Sequence, residues 1–232
     1  MNKYKLILVV LCTAFMLSSC VNAQNNIYAE TLSTEQVDLQ DLIEDNFECE
    51  TESLGDSQND IELKYPKMIS SDEDTNSFVN NEIKTSVDEF KDRWILDSLE
   101  GELTLELDYE ITYYSERFIS IVFKGYGNRT ISAHPNYDTF SLNLDLDKKC
   151  KKTLSQLVEI NDDFISKFEN AITKTELAEF SEEIISNDIE NLLKNTDTKM
   201  SHHISYFLGN EVIIAIYFPY VVGDYVEIHI ER

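Results

Sequence analysis

The stretch that decides the fold is residues 103–123, LTLELDYEITYYSERFISIVF. Its first half alternates strictly: Leu103, Leu105, Leu107, Tyr109, Ile111 and Tyr113 fall on one side, Thr104, Glu106, Asp108, Glu110 and Thr112 on the other. A period of two is the signature of a half-buried strand. Ser115-Glu116-Arg117 is a tight connection into the run Phe118-Ile-Ser-Ile-Val-Phe123, so the pair reads as a β-hairpin. Phe140, Leu142, Leu144 and Leu146 alternate again and supply a third consecutive antiparallel strand.

Upstream, Ile61-Glu-Leu-Lys-Tyr65 is a brief alternating strand stopped by Pro66. Ser71 followed by Asp72, Glu73 and Asp74 predicts a capped helix start with acids where the dipole favours them. Val79, Ile83, Val87, Phe90 and Trp94 then recur at helical spacing on one face and are expected in the core. Downstream, Asn161 or Asp162 caps a helical region with Phe164, Ile165, Phe168 and Ile172 inside. It continues past a break as Leu177, Phe180, Ile184, Ile189, Leu192 and Leu193. Tyr206-Phe-Leu208, a Gly209-Asn210 turn and Val212–Phe218 form a second hairpin before Val226, Ile228 and Ile230. The expected fold is α+β: an antiparallel β-sheet with helices packed on one face, in the order β-α-βββ-α(α)-βββ.

The 232 residues are 42% hydrophobic and 11% aromatic, enough for a real core, which excludes wholesale disorder. Nineteen Lys and Arg against 44 Asp and Glu give a net charge of −25, which repels phosphate and makes nucleic acid an unsuitable partner. Six Gly leave no room for a glycine-rich phosphate loop.

The N-terminus carries the most specific signal. Lys3 and Lys5 precede a nearly unbroken apolar run of 12 residues, Leu6 to Leu17, too short for the ~20 residues that span a bilayer. The run ends in Leu17-Ser18-Ser19-Cys20, which resembles the bacterial lipobox. A plain signal peptide or a short membrane anchor is the alternative. On the lipobox reading residues 1–19 are a lipoprotein signal peptide, and Cys20 carries the acyl groups (diacylglycerol, palmitate) that anchor the chain, extracytoplasmic, to a membrane. Loss of Lys3 and Lys5 with the signal moves the charge from −25 to −27. Residues 20–60 hold 11 acids and no Lys or Arg, so they read as an acidic flexible tether. Within it Leu32, Val37, Leu39, Leu42, Ile43 and Phe47 allow a short amphipathic helix. The folded domain is then 61–232, in two packed halves of about 61–100 and 101–232. Cys49 and Cys150 remain, either as a disulfide or as two unpaired thiols.

Catalytic patterns are scarce. The sequence has no Gly-x-Ser-x-Gly, His-Glu-x-x-His or Cys-x-x-Cys, and Asp145-Leu-Asp147 lacks the rest of a calcium loop, so no catalytic residue, metal or cofactor is assigned. A glycosidase acid pair cannot be picked out among 44 acids. His202-His203 and His229 read as surface residues of strands. His134 differs: it lies in a loop with Asn136 and Tyr137, after Gly125-Tyr126-Gly127. Histidine, amide and phenol together suit sugar or protein recognition, against the simpler reading of a histidine that pins its own turn.

The stretch from Gly127 through His134 and Asn143-Leu-Asp-Leu146 to Leu154-Ser-Gln-Leu157, with Phe218-Pro219-Tyr220 and the closing Val226–Ile230, resembles an extracellular domain family. That domain is shared by the peptidoglycan deacetylase PdaC and the lysozyme-sensing anti-sigma factor RsiV. The likeness covers roughly Ile61 to Arg232. Ser132 stands where the family has a glycine, the deacetylase catalytic domain is missing, and only five residues precede the apolar run, which leaves no room for a sigma-binding domain. The resemblance implies a free-standing, lipid-anchored binding domain whose partner is a cationic muramidase such as lysozyme, or the peptidoglycan itself. Tyr126, His134, Asn136, Tyr137 and Tyr220 are the candidate contact residues. An enzyme acting on wall glycan is the competing class, and it would need an acid pair that no motif supplies.

Overall fold

The computed structural model describes residues 39–55, 59–96, 101–132, 135–175, 177–178, 188–199, 201–218 and 225–232. The elements run α1 (Leu39–Asn46), β1 (Phe47–Gly55), β2 (Asn59–Met68), α2 (Glu73–Leu96), β3 (Leu103–Ser115), β4 (Phe118–Arg129), β5 (Asn136–Asp145) and β6 (Cys150–Lys151). After these come α3 (Leu154–Leu157), α4 (Asp162–Ile172), α5 (Ile189–Asn195), β7 (Ile204–Leu208), β8 (Glu211–Tyr217) and β9 (Tyr225–Glu231). A six-stranded sheet has the order β1-β2-β3-β4-β5-β6, and a second sheet the order β7-β8-β9. The class is α+β, and from residue 61 the expected element order holds among the described residues, with the two-residue β6 and the short α3 added; Phe180 and Ile184 of the expected second helix lie outside the described residues.

The large sheet is mixed, because β2 and β3 run parallel (Ile61 beside Leu105, Leu63 beside Leu107) while its other pairs are antiparallel. The connections explain this. Glu116-Arg117 can only reverse the chain, whereas α2, 24 residues and so about 36 Å long, carries it back to the start of the neighbouring strand. Helix α2 is capped one residue later than the sequence suggested. Asp72, not Ser71, accepts the amides of Asp74 (3.1 Å) and Thr75 (3.3 Å) and the Thr75 hydroxyl (2.6 Å). Those Thr75 bonds hold its carboxyl below the ordinary value.

The predicted stripe of α2 is the core. Val79, Ile83, Val87 and Phe90 are buried against Ile61, Leu63, Leu105, Leu107, Ile119, Ile121 and Phe123, with Trp94 packed at the margin. Gly125 and Gly127 of β4 let the end of α2 settle onto the sheet. A Cβ at either would lie 2.5 Å from the Phe90 ring or 2.3 Å from the Trp94 ring. Gly125-Tyr126-Gly127 belongs to β4 and its glycines serve packing, and Asn136 and Tyr137, expected in a loop, are the first residues of β5, paired with Gly127 and Tyr126.

Strand β4 is buried from Phe118 to Phe123 because both of its faces are covered. Ile119, Ile121 and Phe123 face α2, while Phe118 and Val122 pack with residues of the second sheet. Helices thus cover one face of the large sheet, and the small sheet covers part of the other. The small sheet turns Val212, Ile214 and Ile216 toward α3, α4 and α5, and Ile213 and Ala215 toward Val122.

Where the sheets meet, the outer edge of β7 is satisfied by side chains. Phe207 N donates to Ser120 Oγ (3.0 Å), Asn143 Nδ2 donates to Ser205 O (2.8 Å), and Ser120 Oγ donates to Asn143 Oδ1 (2.8 Å). Asp197, at a left-handed φ of 65°, completes this junction. Its Oδ1 accepts from Ser205 N (2.6 Å) and Ser141 Oγ (3.2 Å), and its Oδ2 from Ser205 Oγ (2.5 Å) and Leu154 N (3.0 Å). Burial pushes the Asp197 carboxyl up to about 6, against four donors that favour its ionised form.

Two boundary expectations are corrected. The stretch to residue 60 is not all tether: α1 is formed, and β1 pairs with β2 from Phe47–Met68 to Gly55–Asp60. The missing cations come from elsewhere in the chain, Lys67 on Glu50 (2.8 Å), and Lys84 (2.9 Å) and Lys91 on Glu52. Phe47 is buried with its ring edge-on to Tyr114, 5.2 Å away. The two halves also divide near residue 152 rather than 100, because α2 and β3–β5 share one core.

Candidate functional site

The face of the large sheet opposite α2 is only partly covered by the small sheet. Register alone assembles a row across its open part: Ser53 beside Glu62, Glu62 beside Glu106, Glu106 beside Tyr126, and Tyr126 beside Tyr137. Five strands at about 4.8 Å make this row about 19 Å long. Asp108, Lys124 and Thr139 form the next row. Glu62, Glu106, Asp108, Lys124 and Tyr137 are exposed, and Tyr126 is half-buried. The two tyrosine rings meet edge to face, with centroids 5.7 Å apart at 66°. Lys64 pairs with Glu62 at 3.0 Å, leaving Glu106 with no hydrogen bond or ion pair among the described residues.

An aromatic rim continues from this face onto the small sheet. Tyr225 Oη donates to Thr139 O (3.2 Å), and burial pushes that phenol up to about 12, so it stays a donor at neutral pH. The Tyr217 ring lies 5.5 Å from Tyr225, and His202 lies 5.3 Å from Tyr217. His203 precedes β7 rather than lying within it. It is half-buried and its Nδ1 accepts the Tyr217 amide at 3.1 Å; burial, with His202 beside it, lowers its pKa and keeps the ring neutral. Its place is structural. His229 is a surface residue paired with Glu211 at 2.8 Å.

Of the residues expected from the sequence, Tyr126 and Tyr137 share this face. Asn136 does not: it pairs with Gly127, and the two-residue period turns it to the side of α2, where Arg93 and Asp138 meet at 2.5 Å. His134, Tyr220 and Cys20 lie outside the described residues. Cys49 and Cys150 are free thiols on β1 and β6, opposite edges of the sheet. Five strand steps, about 24 Å, separate them, against the roughly 7 Å that a disulfide tolerates between Cα atoms. Among the described residues no group of three or more His, Cys, Asp or Glu could hold a metal ion, and no helix is long and apolar enough to cross a membrane.

Glu62, Glu106, Tyr217 and Tyr225 were not singled out in advance. Alternation already put Glu106 on the polar side of its strand, but only register sets it between Glu62 and Tyr126.

Two solved structures are similar in fold. One is a DUF3298 family protein from Pseudomonas aeruginosa PAO1, with TM-score 0.52 and 14% identity, the match covering 80% of this chain and 90% of that one. The other is a DUF3298 family member from Bacteroides fragilis NCTC 9343, with TM-score 0.50, 11% identity and the same two coverages. At these identities the likeness speaks for the fold. No family model matches the sequence. No curated protein matches it either.

Proposed function

We propose that the chain is an extracytoplasmic binding lipoprotein, anchored through Cys20, whose open sheet face receives a cationic protein such as lysozyme. The observation that carries this reading is the cross-strand row of carboxylates ending in the paired tyrosines, on a chain of net charge −25. Glutamates and phenols side by side suit lysine and arginine, which pair with carboxylates and stack on rings. The field of the whole chain would steer a basic partner toward that face. The sequence likeness to the PdaC and RsiV extracellular domain supports the same reading, and the DUF3298 fold neighbours are consistent with it.

The test is association with lysozyme at low and physiological salt. The expected on-rate falls several-fold as salt rises. Tyr137→Ala combined with Glu106→Gln weakens the complex by about 1–3 kcal/mol. No complex at low salt ends this reading. The exposed tyrosine pair favours one other ligand, wall glycan, which stacks on rings without needing charge. Cosedimentation with peptidoglycan that is insensitive to salt and lost with Tyr137→Ala would select it.

A further inference from the structure

Strand β3 is longer than its partner on one side. Pairing with β2 ends at Leu63–Leu107, whereas β3 continues to Ser115 along β4. No described strand pairs with the other edge of Tyr109–Thr112. One sign of this is that the Tyr109 amide is taken up by the carboxylate of its own neighbour, Asp108 Oδ1, at 2.9 Å. A groove of about 380 Å³ runs along these residues, walled by Leu39 and Ile43 of α1 and by Leu208 at the tip of the β7–β8 hairpin. That volume lies at the small end of the roughly 300–1,000 Å³ of ligand sites. Its floor at Ile111 and Thr112 is buried, whereas its outer walls are incompletely covered: α1 has no fully buried residue, and Leu208 is 39% exposed. Glu110 also lines it, exposed and with no hydrogen bond or ion pair among the described residues.

We propose that the open edge of β3 at Tyr109–Thr112, between α1 and Leu208, is a strand-addition site for a short extended peptide with alternating apolar and basic residues. The alternation follows from the strand's own period. Tyr109 and Ile111 share one side of β3 and Glu110 the other, with Thr112 in a bulge that ends this alternation, so an added strand presents apolar side chains beside the first pair and a cation beside Glu110. Main-chain hydrogen bonds supply affinity and the side pockets selectivity. An acidic peptide is repelled by Glu110 and by the charge of the chain. Glu110 is on the same side of the sheet as Glu106 and Asp108, but the groove includes neither Tyr126 nor Tyr137 and does not depend on them.

The probe is a fluorescent peptide, acetyl-Lys-Val-Lys-Val-Lys-amide, titrated into the full chain by polarisation. Three comparison peptides accompany it: one N-methylated at alternate amides, one with Glu for Lys, and one with Ser for Val. Saturable one-to-one binding is expected, weakened about tenfold or more by N-methylation, which removes strand donors while leaving charge and side chains. The Glu and Ser peptides bind more weakly still. Leu208→Lys, at an exposed hairpin tip, abolishes binding without changing the circular dichroism, Glu110→Gln weakens it several-fold, and Tyr137→Ala leaves it unchanged. Equal binding of the N-methylated peptide, or binding that survives Leu208→Lys, overturns the proposal and reduces the uptake to bulk electrostatic attraction. Loss of binding in Tyr137→Ala overturns it as well, by moving the peptide to the other face.

Discussion

Strands β1 and β4 belong to one sheet but are held in opposite ways. Strand β4 is buried from Phe118 to Phe123 with apolar layers on both sides. Strand β1 has a glutamate at every second position from Glu48 to Glu52, and Phe47 is its anchor in the core. It is kept in place by backbone pairing to β2 and by lysines that lie 17 to 39 residues further along the chain. Burial works against the charged form of Glu52, but the hydrogen bonds from Lys91 and Lys84 prevail and hold its carboxyl below the ordinary value. The contrast shows two kinds of stability in one sheet. Burial of apolar surface is largely indifferent to salt and pH, whereas a strand secured by half-exposed ion pairs responds to both.

The sharpest way to break this contrast is at the centre of β4. Phe123 is fully buried and stacks on Phe140 at 4.7 Å. Phe123→Ala is expected to cost about 3–5 kcal/mol of unfolding free energy, read by urea denaturation as a shift of the whole transition. A local loosening that spares the rest of the sheet would show that β4 does not govern the core.

The junction between the sheets comes next. Each Asp197 oxygen accepts one backbone amide, so the amide nitrogen of Asp197→Asn faces a donor in either orientation, at a cost of up to about 3 kcal/mol. The pH dependence has a definite sign. The carboxyl sits at about 6 in the fold against 3.8 unfolded, so the folded state binds more protons between these values. Its contribution is fully present below pH 3.8 and is lost as pH rises through 6. The stability advantage of the wild type over Asp197→Asn should therefore shrink from pH 4 to pH 6 and stay constant above; an advantage that grows over this range refutes the assignment.

Gly127→Ala tests the seating of α2 on the same strand. The new Cβ would lie 2.3 Å from the Trp94 ring, which is half-buried and can give way. The expected cost is about 1–2 kcal/mol, within the usual range for overpacking. Because Trp94 is the single tryptophan, its fluorescence reports the displacement directly.

The smallest effect belongs to β1. Glu52→Gln should cost about 0.2–1 kcal/mol. In hydrogen exchange the loss of protection should be confined to β1 and the edge of β2 and should be reproduced by high salt in the wild type. Equal loosening in β4 would erase the distinction between the two strands.

What could be read from the sequence follows the range of the forces involved. The alternation of 103–111, which a bulge ends so that Tyr113 turns to Phe118 and Phe207 on the other side, the stripe from Val79 to Trp94 and the Asn161 cap, whose side chain accepts the Phe164 amide at 3.0 Å, are local patterns. They fix the elements and which side of each is apolar, because side-chain direction repeats with the backbone. Composition over a window misjudged residues 39–55 because it counts charges within the window, while Lys67, Lys84 and Lys91 reach that strand only through the fold. Register is equally nonlocal. Nothing in the neighbourhood of Glu62, Glu106, Tyr126 or Tyr137 says that they form one row, since that depends on a parallel crossover through α2 and two antiparallel hairpin registers. From residue 61 the sequence by itself determined the main elements, their order and, up to the bulge in β3, their buried faces. The tertiary structure alone decided which charges neutralise β1, which donors gather on Asp197 and which side chains share the open face, because these depend on contacts between residues far apart in the chain.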